Sequence, residues 1–524
     1  MIDLNHILLF IACVSPLILL AQTWRRRGLN RGWRLAAFAV LVVTGVSWMA
    51  NPETAGFVGG GAWLVLLLLP AIGLRKAAEL AGRQRYSSAR RFTRALRFVH
   101  PAGDLGAQSE LLRAMELAQR GDFPSSLAIL DSLENSNTKV GRQAIAQSFR
   151  IRGDWNGLLA WLRRQLPPET KQTDPALQLL YLRALGETGA RDELFLEFTR
   201  NAQNLGSAPQ HVWLYDVSLL SVLAFSGRLQ ALSQLLETRL RKLSRDMSEF
   251  WIATGELATG ETIAGRARLE KLRATTGDAL IRAEAVHRLE QANEIIAQAP
   301  LSLEAATLLR RIEQSDPPAT GVFGPRTARP TTAVLVIIAL NIAMFIAEVA
   351  LGGSTNPFTL HRLGALDFLG VRFEGEYWRL LSSLFLHYGP LHLIFNLYAL
   401  TVIGPGLEQA LGSIRFGICY LLSGLGSSVG VLALRVVGLS RAEQLVGASG
   451  CVLGLVGVWA GLLLRQRDAP LAGRRLKSIL VIVALQTAFD LSTPQISMAA
   501  HLSGLVTGLM LGLLLTPTKA VETA

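Results

Sequence analysis

Cysteine is nearly absent from this chain. Among 524 residues there are three, Cys13, Cys419 and Cys451. All three lie in apolar runs, with neither paired spacing nor metal-ligand spacing. They read as small apolar filler rather than as a disulfide scaffold or a metal site. Charge is scarce as well. Charged residues make up 17% of the chain and hydrophobic residues 50%, a membrane-like balance. The net charge of +13 raises the question of nucleic acid. The basic residues, however, crowd beside apolar segments, so membrane orientation explains them and no nucleic-acid partner is expected. The length is too great for one ordinary domain.

The apolar residues concentrate at the two ends. A helix needs about 20 mostly apolar residues to cross a bilayer. Three such stretches lie at the N-terminus, at 7–22, 35–49 and 57–74. The first does not read as a signal peptide, since Asp3 stands where a basic segment belongs and no clean cleavage site follows. Six more lie beyond residue 330, at 333–351, 387–406, 414–437, 446–464, 478–491 and 498–515. The basic loop "RRRGLNRGWR" orients the first span with its N-terminus outside. The third span then ends inside, before the basic run "RKAAELAGRQRYSSARRFTRALR". The C-terminal six spans start and end inside, and "RQRDAPLAGRRLK" falls inside too.

The middle region, 101–315, has no alternating strand pattern, and its apolar residues recur at helical spacing. Glycine turns appear at Gly121, Gly153, Gly189, Gly227 and Gly260, at intervals of 32, 36, 38 and 33 residues. Nine residues after them come Leu130, Leu162, Phe198, Leu236 and Leu269. This period, with a glycine turn between two helices, resembles tetratricopeptide repeats, which offer a curved surface to protein partners. The segment 76–100 reads as a basic juxtamembrane stretch, 316–330 as a Pro/Gly/Thr-rich linker, and 517–524 as a tail.

Ionisable groups inside a membrane are expensive, so each marks a candidate site. "HYGPLHLIFNLYAL" opens the second span of the C-terminal block, with His392 and Asn396 on one helix face. "GASG" places Ser449 near the start of the fourth, framed by Gly447 and Gly450. "AAHLSGLVTGLMLG" places His501 near the start of the sixth. Spans two, four and six all run from outside to inside, so these four residues share one depth near the outer leaflet. Span six carries Gly504, Gly508 and Gly512 on one face, and span four carries Gly450, Gly454, Gly457 and Gly461. Such ridges let two helices pack backbone to backbone. Packing alone does not call for a histidine at the end of the ridge, where an unpartnered one costs about 1–3 kcal/mol. A serine beside it accounts for both: imidazole is the base that a serine nucleophile requires. No third carboxylate is evident at the right depth. Asp490, which ends span five near the outer side, is not assigned to the site.

The block 331–516 resembles a rhomboid intramembrane serine protease. The motifs are "HLIFN", "GASG", "AHLSGLVTGLMLG", "YWRLLSSLFLH" with Trp378 and Arg379, and "GLEQALGSIRFGICYLLSG". The resemblance implies a six-helix bundle, a catalytic dyad of Ser449 and His501, and oxyanion donors His392 and Asn396. It further implies no cofactor and cleavage of transmembrane substrates near their outer ends. One position departs from the pattern. Active relatives place an aromatic four residues after the serine, stacked on the histidine, where this chain has Leu453.

The expected architecture is all-α and polytopic: an N-terminal three-span segment (1–75), a cytoplasmic α-solenoid, and a rhomboid-like bundle. The expected location is a bacterial inner membrane, with membrane lipid, transmembrane substrates and a protein partner of the repeats as the contacts. The alternative from another class is a non-catalytic rhomboid-like adaptor that binds transmembrane helices. A transporter would want paired charges at the bilayer midplane, which the core spans lack.

Overall fold

The computed structural model describes residues 4–24, 31–98, 100, 105–135, 137–165, 174–206, 212–292, 301–314, 331–439, 444–467, 472–493 and 496–515. The expected linker (316–330) and tail (517–524) lie outside the described residues, as do residues 25–30 of the first basic loop. The described elements are helices, apart from one pair of two-residue strands.

Among the described residues, six helices are long and apolar enough to cross a membrane: Leu4–Thr23, Arg31–Ala50, Pro52–Gly82, Thr332–Ala350, Pro390–Leu411 and Ser413–Val436. The chain is an integral, multi-pass membrane protein. Three of the nine expected spans fall below that measure for physical reasons. Ser449–Arg465 and Met498–Leu514 have 17 residues each, roughly 25 Å of helix, and are rich in glycine. Ala472–Ser492 is long, but Arg474, Arg475 and Lys477 lie in its first two turns.

The chain divides into two compact units, Leu8–Pro317 and Pro318–Ala524, the latter with Met1–Ile7. In the first unit, Arg31–Ala50 turns into the next helix through a single residue. Asn51 caps that helix by accepting from the Glu53 N–H at 3.0 Å, and Pro52 stands at its first position, where no N–H is needed. The helix widens into a π turn at Leu64–Leu68 just before Pro70. Pro70 cannot donate to the Leu66 carbonyl; the His100 ring does so instead, Nδ1 to oxygen at 3.2 Å.

From residue 105 the first unit is a succession of paired helices. The five glycines that punctuate the sequence all take positive φ, between 68° and 91°, where a side chain is disfavoured. Each ends one helix: Gly121 follows Leu105–Arg120, Gly153 follows Lys139–Arg152, and Gly260 follows Arg245–Thr259. Asp122 and Asp154 then start the next, accepting from the Ser125 and Gly157 N–H groups at 3.1 and 2.7 Å. The residues nine places on, Leu130, Leu162, Phe198, Leu236 and Leu269, are all buried. The core around the last four holds Trp155, Tyr181, Phe195, Phe225, Phe250 and Trp251, while Leu130 packs with Leu111, Ala114 and Ala144.

That core encloses charge. Glu284 pairs with Arg150 at 2.9 Å and Arg183 at 3.0 Å, and Glu187 with Arg183 at 3.2 Å and Arg288 at 2.6 Å. Arg183 lies over the Trp155 and Trp251 rings, 4.9 and 5.2 Å from their centroids. Burial alone would raise the Glu284 carboxyl, but the Arg183 and Arg150 guanidiniums overcome it and hold the group at about 2. A buried carboxylate survives ionised only with such partners.

In the second unit the first core helix, Thr332–Ala350, is capped from a distance. The buried Glu408, near the end of Pro390–Leu411, accepts from the Ala333 and Val334 N–H groups at 2.9 and 3.0 Å. It also accepts from the Thr331 hydroxyl, and from the Ser413 hydroxyl at 2.6 Å. A carboxylate meets the free N–H groups and positive pole of a helix start there. The long loop that follows contributes strand β1, Leu366–Asp367, which pairs antiparallel with β2, Gln444–Leu445, in the register Leu366 to Leu445.

Candidate active site

The site begins where β2 gives way to a helix. Gly447 takes φ +135° and donates its N–H to the Ser383 carbonyl at 2.9 Å; Ser449 is then the first residue of Ser449–Arg465. A Cβ on Gly447 would lie 2.7 Å from Cε1 and 3.0 Å from Nε2 of His392, and 3.6 Å from Ser449 Oγ. Gly447 therefore has two tasks. It turns the chain where other residues are strained, and it leaves room for the His392 ring beside the serine.

The glycine ridges meet. A Cβ on Gly504 would strike the Gly450 carbonyl, one on Gly508 the Gly454 carbonyl, and one on Gly512 the Val458 carbonyl. From the other side, Gly457 and Gly461 face the Leu505 and Leu509 carbonyls. Each of these added atoms would sit closer than 3.0 Å to backbone, so the two helices touch main chain to main chain. At the Gly450 end of the ladder, Gly450 lies against Ala500, whose carbonyl accepts from the Ser427 hydroxyl at 2.8 Å. Ser449 is the neighbour of Gly450, and His501 of Ala500. The two side chains thus issue from one end of one interface. His392 is near enough to His501 for the two rings to interact electrostatically.

Asn396 is buried one turn along from His392, and its amide donates back to the His392 carbonyl at 3.1 Å. The structure thus brings His392 to the serine, while the Asn396 amide is turned onto its own helix. Trp378 and Arg379 belong to the loop. The buried Arg379 guanidinium donates to the His361 and Ala365 carbonyls at 2.6 and 3.1 Å, pairs with Glu376 at 2.5 Å, and lies 4.7 Å from the centroid of the Trp378 ring. These bonds gather the loop just before β1, which in turn fixes the strand leading to Ser449.

The residue left out of the sequence-based site is Asp490. Its Oδ2 lies 2.7 Å from His501 Nδ1, with both groups buried at 5% and 7% exposure. The other oxygen, Oδ1, accepts from the Gln486 amide at 2.8 Å, one turn earlier in Ala472–Ser492. Leu453, Asp490, Gln486 and His501 line a cavity of about 50 Å³. The signal was present in the sequence: an acidic residue closing an apolar span on the same side as Ser449 and His501.

Comparisons with known proteins bear on this half of the chain. A model of the rhomboid domain matches residues 374–518. The putative rhomboid protease YdcA of Bacillus subtilis (strain 168) is 33% identical over 151 residues, 29% of this chain and 73% of that protein. The mitochondrial RHOMBOID-like protein 6 of Arabidopsis thaliana is 39% identical over 169 residues, 30% of this chain and 52% of its own length. The rhomboid protease GluP of Bacillus subtilis (strain 168) is 33% identical over 183 residues, covering 35% of this chain and 34% of that one. The match thus spans about half or less of the length of several of these relatives.

Proposed function

The chain belongs to the rhomboid family, and from that premise we propose that it is an intramembrane serine endopeptidase that cuts transmembrane proteins near their outer ends. The observation that carries this reading is the glycine ladder that ends in Ser449 and His501, with the His392 ring beside the serine. A hydroxyl is a weak nucleophile until a base takes its proton. His501 Nε2 accepts that proton as Ser449 Oγ attacks the scissile carbonyl carbon. The carbonyl oxygen becomes an oxyanion and takes hydrogen bonds from the Ser449 N–H, the His392 ring and the Asn396 amide, once the latter swings off the His392 carbonyl. His501 then hands the proton to the leaving amine as the C–N bond breaks. Water, deprotonated by the same imidazole, hydrolyses the acyl-serine.

An intact substrate helix hides its carbonyls in hydrogen bonds, so cleavage falls where Gly or Pro loosens the helix. The flanking basic segments support a bacterial inner-membrane location with the paired helices of 101–315 in the cytoplasm. There, as tetratricopeptide-like repeats, they would recruit a substrate or a protein partner.

The test is cleavage of a model transmembrane substrate together with labelling by a fluorophosphonate probe. Wild type should cleave and label. Ser449→Ala and His501→Ala should do neither while inserting normally, and Asn396→Ala should lose about 10²–10³-fold in rate. A folded wild type that neither cleaves nor labels would leave a helix-binding adaptor in place of the protease.

A further inference from the structure

We propose that Asp490 is the positioning residue for His501, so that the site works as a Ser449–His501–Asp490 triad rather than as a dyad; the proposal rests on the proteolytic reading above. Three observations converge on it. The first is the short contact, 2.7 Å, between the Asp490 carboxylate and His501 Nδ1, buried from solvent. An ionised carboxylate only accepts hydrogen bonds. Nδ1 must therefore carry the proton, and in the neutral ring Nε2 is the bare nitrogen. That is the tautomer a base for Ser449 needs.

The second is that the carboxylate is itself held. Its other oxygen accepts from the Gln486 amide at 2.8 Å, on the same helix and one turn away. With both oxygens engaged, the carboxyl plane is fixed, and the imidazole it bonds is fixed with it. A base oriented by a third group, and that group oriented in turn, is the arrangement that activates a serine in unrelated hydrolases.

The third is Leu453. It borders the same small cavity as His501 and Asp490, at the place where the resemblance puts a stacking aromatic. An aliphatic side chain neither stacks on an imidazole nor accepts its N–H. The ring is oriented from its edge by Asp490 instead of from its face. Gln486, which holds the carboxylate, borders the same cavity.

The experiment compares wild type, Asp490→Asn, Asp490→Glu and Leu453→Tyr/Asp490→Asn, purified at full length in detergent. Asp490→Asn should lower kcat about 10²–10⁴-fold with little change in KM. It should slow fluorophosphonate labelling by a similar factor, because labelling needs only the serine and its base. Its thermal midpoint should stay near that of wild type. A downfield imidazole N–H proton resonance from His501 should be present in wild type and lost in Asp490→Asn. Asp490→Glu should recover part of the rate, and Leu453→Tyr should recover part of it in the Asn background by restoring orientation from the face. An Asp490→Asn protein that cleaves and labels at the wild-type rate would overturn the triad and leave the protease intact. A rate that falls only in step with the folded fraction would overturn it equally. A folded wild type that is itself inert would overturn both.

Discussion

Two interiors coexist in this chain, and they follow opposite rules. Between the Ser449 and His501 helices there is no room for one more carbon: a Cβ on Gly508 would strike the Gly454 carbonyl. Between the paired helices of 105–314, the corresponding space is filled by Leu162, Phe198, Phe250 and Trp251. Many large apolar residues of the membrane spans point outward, Leu335, Ile346, Val506 and Leu514 among them, although Trp459 and Phe416 are buried within the bundle. The difference follows from the solvent. Water drives large side chains inward at about 25 cal/mol per Å². Lipid gives no such drive between helices, so contact must come from close approach of the backbone. Adding atoms should break one interior, and removing them should break the other.

The largest effect is expected at the ladder. Gly508→Val should separate the two helices and abolish fluorophosphonate labelling of Ser449, since its added atoms meet backbone that cannot give way. Full labelling in that variant would refute the claim that the ladder positions the serine. Next comes the charge buried in the other interior. Glu284→Leu leaves Arg150 and Arg183 facing each other without their shared partner and should cost about 3–5 kcal/mol, read as a fall in the helical unit's thermal midpoint. The same carboxylate predicts an acid limit. Its folded pKa, about 2, lies below its ordinary value of 4.5. The stability it lends is therefore present above 4.5 and is lost as pH falls from there toward 2. A flat melting temperature across that window would contradict the assignment.

Removing atoms comes third. Leu162→Ala, at a site with no exposure, should cost about 2–5 kcal/mol by the cavity it leaves. The smallest effect sharpens the contrast. Val506→Ala, on the exposed face of the His501 helix, should change stability in detergent by less than about 0.5 kcal/mol. If it costs as much as Leu162→Ala, the two interiors do not differ as argued.

What was legible in the sequence was what one residue type forces. The five glycine turns could be read because a left-handed stop favours glycine, and the ladder because only glycine permits backbone contact. Hydropathy located the apolar spans but not their lengths. The Asp490 helix runs from Ala472, six residues before its apolar stretch, because helix hydrogen bonds continue through Arg474 and Arg475. The paired strands β1 and β2 are two residues each, too short for any periodicity to register. Arg150, Arg183, Glu187, Glu284 and Arg288 are spread over more than a hundred residues, and nothing local joins them. Asp490 was visible as the acid that ends an apolar span, although no carboxylate read as lying at the depth of Ser449 and His501. Its partner was not, because which helix face meets His501 is decided by packing.

The cap that Glu408 places on the first core helix also has a history. Its acceptor oxygens lie 75 residues downstream of the Ala333 N–H they bind. On a ribosome adding about 5–20 residues per second, that is a wait of roughly 4–15 seconds. Through that interval the start of Thr332–Ala350 has only lipid headgroups and water to satisfy it. The helix is therefore finished not when it is made but when its distant partner arrives.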